Sequence, residues 1–411
     1  MTIRIRTSIL VCAASFLLFA SSALANDNTS KELSFVDALK GGKVKISLRY
    51  RFEGVDDDGF ADEAEASTLR TSLSYRTGEY RGFSAFLEAE DVTPIFDDDN
   101  YNNAGAGSLS NDVRGVPVVA DPALTEINQA YLRWRNDRIT VTAGRQAINI
   151  GDQRFVGAVA WRQNHQSFDA LRIAADLSPK IKLDYTFATA VRRIFGDRQE
   201  MESHLFHLPI TLAKDHKLAP YGFWLDYDDL RLLSTATYGI EYTGKVPLSD
   251  RFALRFELEA AQQDDQGDNP ATIDTDYFLA SIGGQGKGWG IDLTWEVLGD
   301  RGDGALAFQT PLSTLHKWNG WADKFLRTPD AGLETLYVRF KGTLGSSWRY
   351  AVVYHDFTSH SGDIDYGTEI DGELVYTTPW KQTFALKVAV YDADEFSTDT
   401  QKVMLWSSYS F

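Results

Sequence analysis

The stretch Val403-Met404-Leu405-Trp406-Ser407-Ser408-Tyr409-Ser410-Phe411 decides the fold. Val403, Leu405, Tyr409 and Phe411 share one parity, broken only by Ser407. Strict alternation of this kind reads as β-strand. An open aromatic sheet edge invites aggregation in water. The same strand suits the closing stave of a barrel, where first and last strands pair and no edge remains.

The first alternating run is the cleanest. Val44, Ile46, Leu48, Tyr50 and Phe52 fall on one face, and Lys43, Lys45, Ser47, Arg49, Arg51 and Glu53 on the other. One run is equally a half-buried soluble strand. Repetition separates the two readings. The pattern returns at Leu69–Arg76, Ile181–Ala188, Phe252–Ala260, Trp289–Val297 and Phe384–Tyr391, each time with a polar or charged opposite face. In a membrane barrel that face looks onto a wet lumen and the apolar face onto lipid. Aromatics at stripe ends (Tyr50, Phe52, Tyr75, Trp289) suit interfacial girdles.

The expected fold is therefore all-β: a transmembrane, antiparallel, up-and-down β-barrel. Candidate strands begin near residues 43, 67, 82, 126, 138, 167, 180, 203, 218, 234, 251, 275, 288, 332, 347, 366, 381 and 402. That gives about 18 strands, or 16 if the weak stretches near 203 and 275 are discounted. Short connections carry turn residues, as at Thr77-Gly78-Glu79, Ser178-Pro179 and Thr378-Pro379. Long ones, such as 94–125, 151–166 and 299–332, hold acids and glycines. Short periplasmic turns and long outer loops are the barrel pattern.

Composition agrees. The aromatic share is 13%, with 10 Trp and 18 Tyr. No segment after the first residues holds 18 consecutive apolar residues, so no membrane helix is expected. Arg4 and Arg6, the apolar run Ile9–Ala20 and Ala23-Leu24-Ala25 predict a signal peptide cleaved after Ala25. The expected organisation is signal peptide 1–25, a periplasmic N-terminal segment 26–41 and a barrel 42–411. Cys12, the single cysteine, leaves with the signal, removing disulfide and thiolate chemistry. The net charge of −17 argues against a nucleic-acid partner.

Little points to catalysis. Asp56–Asp58, Asp97–Asp99, Asp228-Asp229 and Asp264-Asp265 lack the spacing of a calcium loop and read as solvated loop acid, or as loose ion bridges to lipopolysaccharide. Seven histidines are scattered, and His204 and His207 would face opposite sides of a strand. No arrangement of nucleophile and base is evident. The reading is a protein that is not an enzyme, with no cofactor and no metal.

The basic residues carry the sharper signal. Inward parity, together with the third and fourth long segments, gives Lys45, Arg49, Arg51, Arg70, Arg133, Arg135, Arg145, Arg154, Arg162 and Arg172 as a substrate path, with Arg76 beside them. Guanidinium suits two-bond capture of carboxylate, and a ring of such groups selects anions. Glu88, Glu90, Glu126, Asp152 and Asp169 are the lumen acids expected to pair with them. The competing reading makes these arginines structural partners of interior acids.

Two stretches add a resemblance. Residues 126–173 read EINQAYLRWRNDRITVTAGRQAINIGDQRFVGAVAWRQNHQSFDALRI, and residues 308–338 read FQTPLSTLHKWNGWADKFLRTPDAGLETLYV. Both resemble the alginate export family of Gram-negative outer-membrane proteins. The resemblance implies a monomeric eighteen-stranded barrel, narrowed by loops and lined by arginines, that passes anionic polyuronate through the outer membrane. Glu126, Gln129, Arg133, Arg145 and Arg172 match motif positions. Strict parity from Ile139 turns Arg145 outward, and a bulge near Gly144 would turn it back. The chain is shorter than the exporters that define the family. The expected function is a porin-type channel for anionic oligo- or polysaccharide, alginate-like. The alternatives are a general or uptake porin for small anions, or an outer-membrane enzyme or adhesin using loops around Trp318 and Trp321. Expected surroundings are outer-membrane lipid and lipopolysaccharide.

Overall fold

The computed structural model describes residues 34–96 and 99–411. The signal segment, Cys12 and residues up to 33 lie outside the described residues, as do Asp97 and Asp98.

Among the described residues, nineteen strand segments form one antiparallel sheet. They run β1 Lys43–Asp57, β2 Ala64–Arg76, β3 Phe83–Pro94, β4 Leu124–Arg135, β5 Ile139–Gln146, β6 Ser167–Ser178 and β7 Ile181–Arg192. Next come β8 Arg198–His207, β9 Ile210–Ala213, β10 His216–Trp224, β11 Thr235–Ser249, β12 Phe252–Asp265 and β13 Asp274–Gly286. The last are β14 Trp289–Leu298, β15 Leu333–Leu344, β16 Trp348–Thr358, β17 Asp365–Thr377, β18 Thr383–Ala393 and β19 Thr400–Ser410. β8 and β9 both pair with β7 and with β10, so they are two halves of one stave. Pro209 lies between them, where a missing N–H interrupts the ladder. The barrel thus has 18 staves.

It closes as the terminal strand requires. β1 pairs with β19 from Ser47↔Ser410 to Asp57↔Thr400, so every strand has two neighbours. This closure is what lipid demands, because an unpaired backbone group has no water there. The apolar stripes face outward: Ile370 is 57% exposed, Leu73 51% and Val352 48%. Such exposure on a soluble sheet would drive aggregation, whereas in a bilayer it is the contact surface. Near the periplasmic turns an aromatic belt spans β12 to β16 through Phe252–Trp289, Trp289–Phe340 and Phe340–Tyr350 ring contacts of 5.7–6.4 Å. A helix, α1 (Phe35–Lys40), sits at that mouth. Ser34 and Asp37 form its capping box, and Ala38 accepts from the Gly78 N–H at 2.8 Å.

The long connections behave differently from solvated outer loops. Residues 147–166 and 299–332 fold into the lumen, where Ile148, Val156, Phe308, Leu312 and Phe325 join the principal buried cluster. Val156 and Leu312 bridge the two loops backbone to backbone. The core of this protein therefore lies inside the barrel, between loops and wall.

Candidate functional site

The 147–166 loop crosses from β5 to the far wall and returns. Arg154 reaches Glu296 on β14 at 2.5 Å, and Tyr277 donates to the same carboxylate at 2.8 Å. Phe155 packs on Tyr221 and Tyr277 at ring separations of 5.3 and 5.2 Å. On the return, Arg49 donates to the Ala160 and Arg162 carbonyls at 3.2 and 3.3 Å and to that of Trp161 at 2.6 Å. Gln163 then binds Thr68 on β2 at 2.9 Å. These contacts supply the backbone partners that a loop inside a barrel needs.

The 299–332 loop meets it at a buried ionic hub. Asp323 accepts from His316 Nδ1 at 2.8 Å, from Lys402 at 2.9 Å and from Arg162 at 3.3 Å. Arg162 also pairs with Glu53 at 3.0 Å. Burial disfavours the ionised form of Asp323, but Lys402, His316 and Arg162 hold its carboxyl well below the usual range. Lys387 lies 2.7 Å from His316 Nε2. With lysine donating there, the hydrogen-bond network assigns the His316 proton to Nδ1. Burial and the adjacent Lys387 charge push the imidazole down to about 3, so it is neutral. Glu369 on β17 fastens the same loop by accepting the Trp321 N–H and, at 2.8 Å, the Ala322 N–H. Gly320 makes that approach feasible: its φ is +83°, and a Cβ there would lie 2.4 Å from Glu369 Oε2.

Two cavities lie between the loops and the wall. The outer one, about 580 Å³, is lined by strand ends such as Asp57 and Thr400 and by loop residues including Arg162, Pro311 and Lys324. The inner one, about 340 Å³, is lined deeper in the wall by Arg339, Val353, His355 and Lys387. Only Trp161 and His316 line both, and their rings stack at 3.4 Å with an interplanar angle of 6°. Arg51 lies 4.0 Å over Trp161 and Arg162 4.4 Å. This stack is the partition between the outer and inner halves of the lumen.

The sequence-derived path residues separate into four groups. Lys45, Arg49, Arg133 and Arg172 lie on the lumen face; Arg172 is engaged by Asp184 at 2.8 Å and Arg133 by Thr142 at 3.3 Å. Arg51, Arg70, Arg154 and Arg162 are at most 9% exposed and tied to carboxylates. They anchor loops and cannot serve as stations for a solute, which corrects the path reading in favour of structural ion pairs. Arg135 sits at the periplasmic rim, 61% exposed and paired with Glu79. Arg145 is also corrected. The β4–β5 and β5–β6 registers run without a shift past Gly144, placing Arg145 opposite Ala130 and Asp169 on the outward parity. Gly144 has φ +121°, and a Cβ there would meet the Ala130 carbonyl at 2.4 Å, so the position needs glycine, yet no bulge opens at it. The bulges fall instead at Asn128 and Thr189.

Asp169 is consequently no lumen acid: it pairs with Arg145 at 2.8 Å and Arg198 at 3.0 Å on the outer face. Glu90 pairs with Arg70 as expected, whereas Glu88 takes the Gln129 amide and Glu126 takes Arg192. Asp152 accepts the Arg154 N–H at 3.0 Å. Sequence reasoning passed over Lys317, Arg339, Lys387 and Lys402 as path residues. For Arg339, Lys387 and Lys402 the polar-parity position on a strand was the available signal, whereas Lys317 lies on the 299–332 loop and had none.

A closed eighteen-stave barrel with lipid-facing stripes and a charged, loop-narrowed lumen is an outer-membrane channel of the porin type. A family model described as Alginate export matches residues 42–305, and the chain belongs to that family and to the bacterial outer membrane. The match takes in the 126–173 stretch and stops short of 308–338. No curated protein matches. Among solved structures, OccAB4 of Acinetobacter baumannii aligns with TM-score 0.71 at 14% identity, over 90% of this chain and 98% of that one. OpdK of Pseudomonas aeruginosa with vanillate gives TM-score 0.69 at 15% identity, over 91% and 99%. OccK9 (OpdG) of the same organism gives 0.72 at 12%, over 91% and 99%. At such identities the likeness is one of fold.

Proposed function

We propose that this channel passes short carboxylated saccharides of the uronate type, and not a continuous polyuronate. The observation that carries this reading is the division of the lumen into chambers of about 580 and 340 Å³ by two loops locked through Asp323. Neither chamber is a tube through which a long polymer could slide. Family membership supports the uronate chemistry. The lumen-facing cations Lys45, Arg49, Arg133, Arg339 and Lys387 support an anion, because fixed charge in a narrow low-dielectric passage acts strongly on ions. A solute would exchange weakly among these groups, since tight binding would stop transit.

Liposome swelling tests this directly. Vesicles carrying the purified channel are challenged with oligouronates of increasing length. Swelling that is fast for mono- and disaccharide acids and falls away steeply for longer chains is expected. Rates independent of length would favour the polymer reading.

A further inference from the structure

We propose that the inner chamber is a discrete, saturable binding site for a single ring acid, with its carboxylate held by Lys317, Arg339 and Lys387. The inference rests on the channel reading above and narrows it to one site. No Asp or Glu lines this chamber, in a chain with 58 acidic residues, yet three cations do. None of the three forms an ion pair within 4 Å with a carboxylate that faces the chamber. Lys387 is spent on His316 Nε2 and lies 3.6 Å over the Trp321 ring. Lys317 donates at 2.5 Å to a backbone carbonyl, that of Asp152. Arg339 makes no hydrogen bond or ion pair among the described residues and rests over the Tyr337 ring at 5.3 Å.

A fourth group points the same way. His355 lines the chamber, is 2% exposed, and leaves Nδ1 without a partner. Its other nitrogen is 3.4 Å from Asp371. An unpartnered buried nitrogen is costly unless something completes it. A hydroxylated ring acid supplies both kinds of group: a carboxylate for the cations and a hydroxyl for the imidazole. Trp161 and Trp321 line the space, and its volume of about 340 Å³ lies near the lower limit of the roughly 300–1,000 Å³ usual for ligand pockets. One ring fits that limit and a polymer does not.

The test uses the full chain in detergent, titrated with D-glucuronate and, separately, with D-glucose, followed by calorimetry. One saturable site for glucuronate and none for glucose are expected. Arg339→Gln should weaken glucuronate binding at least tenfold, and Lys387→Gln likewise if it folds. Arg251→Gln, at an exposed periplasmic turn, should leave binding within twofold. Absence of saturation, equal binding of glucose, or wild-type affinity in Arg339→Gln overturns the site. The same preparations in planar bilayers separate the two claims. Retained anion preference without saturable binding removes the site and leaves the channel reading standing. Loss of anion preference in the wild type removes both.

Discussion

Asp323 shows what one side chain does here. It is 7% exposed on its side chain and joins Arg162 and Lys402, themselves 6% and 5% exposed. Asp323→Asn would leave two buried cations short of a partner, a change that costs about 3–5 kcal/mol where measured in proteins. We expect the 299–332 loop to leave the lumen, with a several-fold rise in single-channel conductance and new tryptic cleavage after Lys324 or Arg327; unchanged conductance and protease resistance would refute the hub. His316 makes a separate prediction. Its pKa of about 3 lies below the ordinary 6.5, so the unfolded chain protonates first. The residue therefore costs stability as pH falls from 6.5 towards 3 and costs none above that window. An NMR titration, with the resonance assigned by His316→Gln, should show no imidazole protonation between pH 8 and 5. A midpoint near 6.5 would mean that the contact with Lys387 is not kept. At this scale the sequence was only partly legible. Parity put Arg51 and Arg70 inside correctly, but it is silent on whether an inward arginine meets water or a loop from another part of the chain, as Arg51 meets the Asp121 carboxylate at 3.6 Å and the Trp161 carbonyl at 2.9 Å.

The strands were legible because their pattern is local. Each expected start falls within five residues of an observed one, and the stretch near 203, weak in sequence, is the stave that Pro209 breaks. Arg145 failed for an equally physical reason. Its position depends on whether register slips at Gly144, and the slips occur instead on β4 and β7, where Asn128 and Thr189 are extruded. Long connections were the illegible elements. Gly- and Asp-rich composition suits a solvated loop, yet 147–166 and 299–332 turn inward because Ile148, Phe155, Phe308 and Phe325 find apolar partners only inside. The lipid and lumen faces make opposite predictions for one substitution type. Ile282→Arg, on the outward face of β13 and 49% exposed, should cost about 2–4 kcal/mol in vesicle folding titrations. Thr243→Arg, on the lumen face of β11 opposite Glu257, should stay within about 0.5 kcal/mol. Equal penalties would mean that the two faces do not see different solvents.

For the whole molecule, closure is the fact on which everything else rests. β19 meets β1 over eleven registered pairs, so the chain completes its own barrel in outer-membrane lipid. Inside, the loops convert a wide cylinder into two chambers separated by the Trp161–His316 stack. A net charge of −17 for the chain does not by itself set the sign of the passage, because Lys317, Arg339 and Lys387, and no carboxylate, line the inner chamber. The reversal potential of the channel in a planar bilayer, under a potassium chloride gradient at neutral pH, reads that sign directly. The account predicts a potential displaced toward the chloride equilibrium value, with the displacement reduced in Arg339→Gln. A potential displaced toward the potassium value, or no conductance from correctly inserted protein, would contradict it.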